Sequence, residues 1–316
     1  MTPTAEATKG AQAPFALPGE ASARDWLMLL KPRVMVLVVY TGAIALMVAP
    51  APMHPVLAFA AILAIAVGGG AAGALNMWYD RDIDAQMRRT STRPVPAGRI
   101  DPDDALGFGI VLAVASVLVM GLAANWFAAL LLAASIAFYV LVYTAWLKRR
   151  TPHNIVIGGA AGAFPPAIGW AAATGDLTLA PVVLFAIIFF WTPPHFWALS
   201  LWTHGDYARA GVPMLPVTNG ARATRVQILL YTVLLLPVGL APYALGLAGP
   251  VYGVAALLLG LNFIRHGLLV LREPQDATGI STVKDRAAKR CFGYSIAYLF
   301  ALFGALALDH VVGRFL

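Results

Sequence analysis

The chain has 316 residues, 60% of them hydrophobic and only 12% charged, with a mean hydropathy of +0.76. A soluble domain carries about twice that charge fraction, so the composition excludes an ordinary soluble enzyme and points to one polytopic membrane bundle. The single cysteine, Cys291, excludes an intrachain disulfide framework and a cysteine-based metal cluster.

Residues 1–25 are rich in Ala, Pro and Thr and lack an apolar signal core; they are expected to be a disordered tail rather than a secretory signal. The rest, 26–316, reads as a single domain that begins with an interfacial segment at 26–32. Nine apolar spans are predicted at 34–50, 56–79, 105–122, 125–147, 155–173, 179–201, 224–246, 250–271 and 291–312. Each, with some tilt, covers a hydrocarbon core of about 30 Å. The turns PAPMH, AAN, TGDLT and LAGP hold no Lys or Arg, whereas every basic residue except Arg314 lies in or beside the N-terminal arm and the alternate loops. The positive-inside rule therefore puts the N-terminus in the cytoplasm and the C-terminus outside, as expected for a bacterial inner-membrane protein. The pI near 9.7 is thus topology and gives no reason to expect a nucleic-acid partner. No Asp, Glu, Lys or Arg sits at the middle of a predicted span, which argues against a proton pump or ion-coupled carrier.

The second span ends in NMWYDRDID, residues 76–84. If its helix continues, Asn76, Asp80 and Asp84 fall at i, i+4 and i+8 on one face. Acids at a helix C-terminus oppose the macrodipole, so an end-charge device would use Lys or Arg there. Two carboxylates and a carboxamide in a row are hard oxygen ligands that suit Mg²⁺ together with substrate phosphates. Asp82 is expected to face solvent or Arg81. The next stretch, RRTSTRPVPAGRI, supplies Arg89 and Arg93 within reach of a diphosphate, with Arg88 and Arg99 read as topological charge. Asp101 reads as an N-cap with Pro102 at N1 and Asp104 completing the pattern. A second acidic position, Asp206, closes the sixth span in WTHGDYARAGVPMLPV. The runs GGGAAGALN (68–76) and GGAAGAFPP (158–166) resemble each other, which fits either an internal four-helix repeat or close helix packing.

These residues resemble the intramembrane prenyltransferase superfamily, and within it the haem-modifying branch. The carrying stretches are LLKPRVM (29–35), NMWYDRDIDAQMRRTSTRPVPAGRI (76–100), YTAWLKRRTPHNIVIGGAAGAFPPAIGW (143–170), WTPPHFWALSLW (191–202) and DYARAGVPMLPV (206–217). Asn76, Asp80 and Asp84 match the superfamily's N-x-x-x-D-x-x-x-D motif in full. Of the D-x-x-x-D pair found in quinone-type members only Asp206 is kept, with water, His204 or a backbone oxygen standing in for the missing carboxylate. The resemblance implies an all-α bundle of nine transmembrane helices around a central cavity, with its active-site mouth on the cytoplasmic side. It implies Mg²⁺ held by Asp80, Asp84 and Asp206, with Arg89, Arg93 and Lys148 around the diphosphate. Its reaction would move a farnesyl group from farnesyl diphosphate to a vinyl side chain of haem B. Membrane lipid surrounds such an enzyme, and haem A synthase or oxidase assembly proteins are its expected partners. The alternative acceptor is a quinone precursor or a chlorophyll-type molecule.

Among the six histidines, His54 and His310 fall on the outer side. His195, behind Pro193 and Pro194, is the candidate haem neighbour; the competing reading is a ring bonded to a carbonyl that the prolines free. His153 and His204 are loop histidines near the expected mouth.

Overall fold

The computed structural model describes residues 21–277 and 279–313, so most of the N-terminal tail, residues 1–20, lies outside the described residues. Among the described residues every regular element is helical. A short helix, α1 (Ala23–Leu29), is closed by a capping box in which Ser22 Oγ accepts from Asp25 N and the Asp25 carboxylate accepts from Ser22 N. It meets α2 (Pro32–Val48) at a 52° bend. The bend sits at Lys31, a non-glycine residue with φ of 50°, because the proline that follows disfavours the right-handed helical region for the residue before it.

The remaining elements are α3 (Pro55–Tyr79), α4 (Arg81–Gln86), α5 (Pro102–Ala123), α6 (Trp126–Ala137), a π-helix π1 (Phe138–Leu147), α7 (Asn154–Thr174), α8 (Leu179–Arg209), α9 (Leu215–Thr218), α10 (Gly220–Ala244), α11 (Pro250–Leu271) and α12 (Arg286–Val312). Among the described residues eight helices, with α6 and π1 taken as one, are long and apolar enough to cross a membrane, and the bent pair α1–α2 makes a ninth if it is one span. The chain is a multi-pass membrane protein. Asp101 caps α5 through Asp103 N at 2.8 Å with Pro102 at N1, as its sequence suggests.

Three elements depart from the periodicity. The sixth span continues eight residues beyond 201, since WTHGDYAR holds no proline and the stop comes only with Gly211 at φ of 65° and Pro213. The ninth begins at Arg286, because RAAKR is built of strong helix formers. The fourth changes from α to π halfway along.

Helix contacts divide the bundle into two groups. In one, α3 packs on α5, with α6 between α5 and α7; in the other, α8, α10, α11 and α12 pack in sequence, and α12 returns to α2. Helices α2 and α7 pack on each other and belong to both groups. Their seam needs glycine: a Cβ on Gly169 would lie 2.1 Å from the Gly42 carbonyl oxygen. Each group has its own apolar core, one around Leu132, Met120 and Ile168, the other around Ile187, Phe263, Tyr298 and Phe303.

Candidate active site

Helix α3 gives way to α4 at Asp80, yet the backbone ladder runs through the junction: Asp80 N donates to Asn76 O at 2.9 Å and Asp84 N to Asp80 O at 2.8 Å. Asn76, Asp80 and Asp84 therefore share one face, as their spacing requires. All three are buried, Asp80 completely. The small side chains of the GGGAAGA run let neighbours come close enough to cover them; the methylenes of Lys31 lie against Gly73.

Burying carboxylates requires partners. Lys148 pairs with Asp80 Oδ2, and Arg93 Nη1 lies 2.5 Å from Asp84 Oδ2. Lys31 Nζ donates to Asn76 Oδ1 at 2.5 Å, while Asn76 Nδ2 donates to Asp80 Oδ2 at 2.7 Å and to Thr144 Oγ1 at 3.0 Å. Thr90 Oγ1 donates to the Asp84 carbonyl at 2.9 Å and folds the following loop back over the acids. Asp82 faces Arg149 rather than Arg81, in a two-pronged pair at 2.6 and 2.7 Å. Those hydrogen bonds hold the Asp82 carboxyl below its ordinary range and push the Arg149 guanidinium up. Arg81 donates instead to the Trp78 carbonyl, and Arg99 pairs with Asp25 at 2.8 Å, tying α1 to the loop.

One oxygen is left over. Asp80 Oδ1 is buried and takes no hydrogen bond; Arg149 Nη2 stands 3.7 Å from it, beyond hydrogen-bond reach. Arg149 Nε and Asn154 Oδ1, close in sequence to Lys148, are also buried without partners. Groups left open in this way cost stability unless water, an ion or a ligand meets them. A carboxylate oxygen held open on a face of hard oxygen donors fits Mg²⁺, and the surrounding cations fit a diphosphate.

The other candidates sit apart. Arg89 is exposed. Asp206, near the end of α8, pairs with Arg209 one turn on. Its neighbour Tyr207 packs with Ile83 and Met87 of the acid segment, so the two acidic stretches share one apolar cluster. Among the described residues no three of His, Cys, Asp and Glu form a set able to hold a metal, and Asp206 does not join Asp80 and Asp84 in one. His195 bonds neither to a freed carbonyl nor to an acid. Its Nδ1 lies 2.7 Å from Ser295 Oγ, and its ring is stacked between Trp191 and Phe292 at 4.3 and 4.5 Å. His153 is exposed, and His204 Nδ1 donates to the Leu201 carbonyl. A cavity of about 480 Å³ opens at the opposite end of the bundle, between Val48, Trp170 and Asp309, and none of the acid-face residues lines it.

Lys31, Thr144, Arg149 and Asn154 are site residues that the linear reading missed. Lys31 and Arg149 stood out only as basic residues on the cytoplasmic side within resembling stretches, and Thr144 and Asn154 only as members of one.

Residues 35–283 match the model of the UbiA prenyltransferase family. The chain belongs to that family. Curated relatives named protoheme IX farnesyltransferase agree over nearly its full length: the one from Acidiphilium cryptum is 64% identical over 292 residues, covering 92% of each chain. The one from Gluconacetobacter diazotrophicus is 59% identical, covering 97% of this chain and 98% of its own. Among solved structures, a digeranylgeranylglyceryl phosphate synthase superposes with a TM-score of 0.73 at 18% identity, over 92% of this chain and 98% of its own. A UbiA homologue from Archaeoglobus fulgidus bound to DMAPP and Mg²⁺ gives 0.62 at 16% identity, over 87% and 99%. The UbiA fold is thus shared even where little sequence is.

Proposed function

We propose that this member of the UbiA family transfers a farnesyl group from farnesyl diphosphate to a vinyl side chain of haem B, giving haem O and diphosphate. The names of its curated relatives support the acceptor and the reaction. The observation that carries the chemistry is Asp80 Oδ1, a buried acceptor kept open amid cations. Mg²⁺ bound there would neutralise the diphosphate and make it a better leaving group.

Asp80 and Asp84 are the ligands proposed for it, and Asp206 is proposed to approach from the α8 side through the Tyr207 contact. Lys31, Arg93, Lys148 and Arg149, which bond to Asn76, Asp84, Asp80 and Asp82 in turn, are the cations proposed to meet the diphosphate oxygens. Arg89 is proposed to meet the substrate at the exposed rim. Breaking the farnesyl C–O bond leaves an allylic cation. The vinyl group attacks it to form the new C–C bond, and water then supplies the hydroxyl and releases a proton. The apolar cluster of Ile83, Met87, Ile155 and Met214 keeps water from the mouth until that point. His195 is proposed as the haem-side residue: with Nδ1 engaged by Ser295, its Nε2 would be the nitrogen available to the haem. The active mouth and N-terminus are proposed to lie in the cytoplasm and the C-terminus outside, in a bacterial inner membrane, with 26–316 acting as one domain and haem A synthase or oxidase assembly proteins receiving the product.

The test is incubation of purified protein with farnesyl diphosphate and reduced haem B, with and without Mg²⁺, followed by mass spectrometry of the haems. A Mg²⁺-dependent haem carrying one hydroxyethylfarnesyl chain is expected. Asp80→Asn should lower the rate by at least about 10²-fold, since it removes charge from the leaving-group platform. Prenylation of an added quinone precursor instead would keep the platform and overturn the acceptor.

A further inference from the structure

Single-turn π-bulges are the usual form of π-helix and often mark functional sites, but π1 runs for ten residues, Phe138–Leu147. Its last turn is closed by Lys148 N donating to Tyr143 O, five residues back, at 2.9 Å. No proline or glycine lies within it, so nothing local accounts for the widening. What surrounds it does. Three ties lace π1 and the lysine after it to the acid end of α3: Thr144 Oγ1 accepts from Asn76, Tyr79 Oη donates to the Ala145 carbonyl at 3.3 Å, and Lys148 pairs with Asp80. On its other side, α7 receives the broad turn with a glycine. A Cβ on Gly158 would lie 2.1 Å from Tyr143 Cδ2.

The first tie anchors an amide whose orientation Lys31 and Asp80 set. Asn76 Nδ2 is shared between Thr144 Oγ1 and Asp80 Oδ2, and its carbonyl oxygen faces Lys31. Thr144 is fully buried. If the carboxamide turned over, its oxygen would face the Asp80 carboxylate. With the amide held, Asp80 is occupied through Oδ2 and keeps Oδ1 open.

We propose that π1 is the positioning element of the acid face and that Thr144 is its positioning residue, holding the Asn76 carboxamide so that Asp80 presents a free oxygen. This rests on the metal–diphosphate reading above and adds a residue that touches neither metal nor substrate. Such partners of a ligand-bearing group typically account for about 10- to 100-fold in metal affinity or activity.

The experiment is titration of the purified full-length protein, without substrate, with Mn²⁺ as the probe, following free Mn²⁺ by electron paramagnetic resonance. Thr144→Val should weaken Mn²⁺ binding by about tenfold, and Thr144→Ser should restore it to within about twofold, since only the hydroxyl is needed. Thr144→Ala, which adds no bulk, serves in the same comparison if the valine variant misfolds. Wild-type affinity in a folded Thr144→Val or Thr144→Ala protein overturns the proposal, and so does a serine variant no better than valine. Asp80→Asn runs alongside. If it too binds Mn²⁺ normally, the metal platform itself has failed; if it alone loses binding, only the role of Thr144 has.

Discussion

Two clusters of buried charge lie at the same end of the bundle. On the acid face, Asp80 and Asp84 are attended by Lys148, Arg93 and, through Asn76, Lys31, with Arg149 on Asp82 beside them. The other cluster centres on Arg225, fully buried in the second turn of α10. Its Nη1 donates to Glu273 at 3.0 Å and to the Val270 carbonyl at 3.1 Å, and its Nη2 to Asp285 at 3.2 Å. Glu273 also accepts from Ala287 N at 2.7 Å. The first cluster has cations in excess and an acceptor left open. The second has one cation for two acids, both engaged, and ties α10, α11 and α12 together. Buried ion pairs do not therefore share one purpose. An excess of cations with an open carboxylate oxygen suits an arriving anion and its metal, whereas a knot whose acids are both engaged holds helices in place, although Arg225 Nε is itself without a partner.

Mutation should separate the two. Asp80→Asn, the largest expected effect, should abolish most turnover as described above. Arg225→Met should act on stability instead, leaving two carboxylates without their cation at a cost of about 3–5 kcal/mol. Thermal unfolding in detergent is the check, with farnesyl transfer by the folded fraction near wild type at low temperature. If the loss fell on turnover with stability unchanged, the contrast would be broken.

A finer probe is Asp285. Burial pushes its carboxyl above its ordinary value of 3.8, and the Arg225 charge only partly offsets this. A raised folded value means that its contribution to stability is fully present below the unfolded value and is lost as pH rises through the folded one. Asp285→Asn should therefore flatten the fall in melting temperature over that interval. An unchanged pH slope would show that Asp285 is not the group responsible. Smallest of all, Arg209→Ala removes an exposed pair with Asp206 and should change stability by less than about 1 kcal/mol. A larger loss would place Asp206 in a structural knot like that of Arg225.

The sequence was most informative where the chemistry repeats along one helix. The i, i+4, i+8 spacing placed Asn76, Asp80 and Asp84 on one face because helical periodicity is local. Their partners come from 45 and 68 residues away, and no local pattern announces that Lys31 or Lys148 folds back onto them. Arg225 looked like topological charge because burial is a property of the assembled bundle. The π-helix went unseen since FYVLVYTAWL suits an α-helix equally well; its ties to α3 and the glycine of α7 exist only in three dimensions. Asp82 was expected to face solvent or its sequence neighbour Arg81; it is exposed, and the folded chain pairs it with Arg149.

The seam between α2 and α7 has a wider consequence. At Gly42 and Gly169 the two backbones touch without side chains between them, and these helices are common to both halves of the bundle. A single methyl at residue 169 would act as a shim in a joint that both halves share. Its effect would be mechanical rather than chemical: the acid face and the aromatic surroundings of His195 would move apart together, although residue 169 belongs to neither.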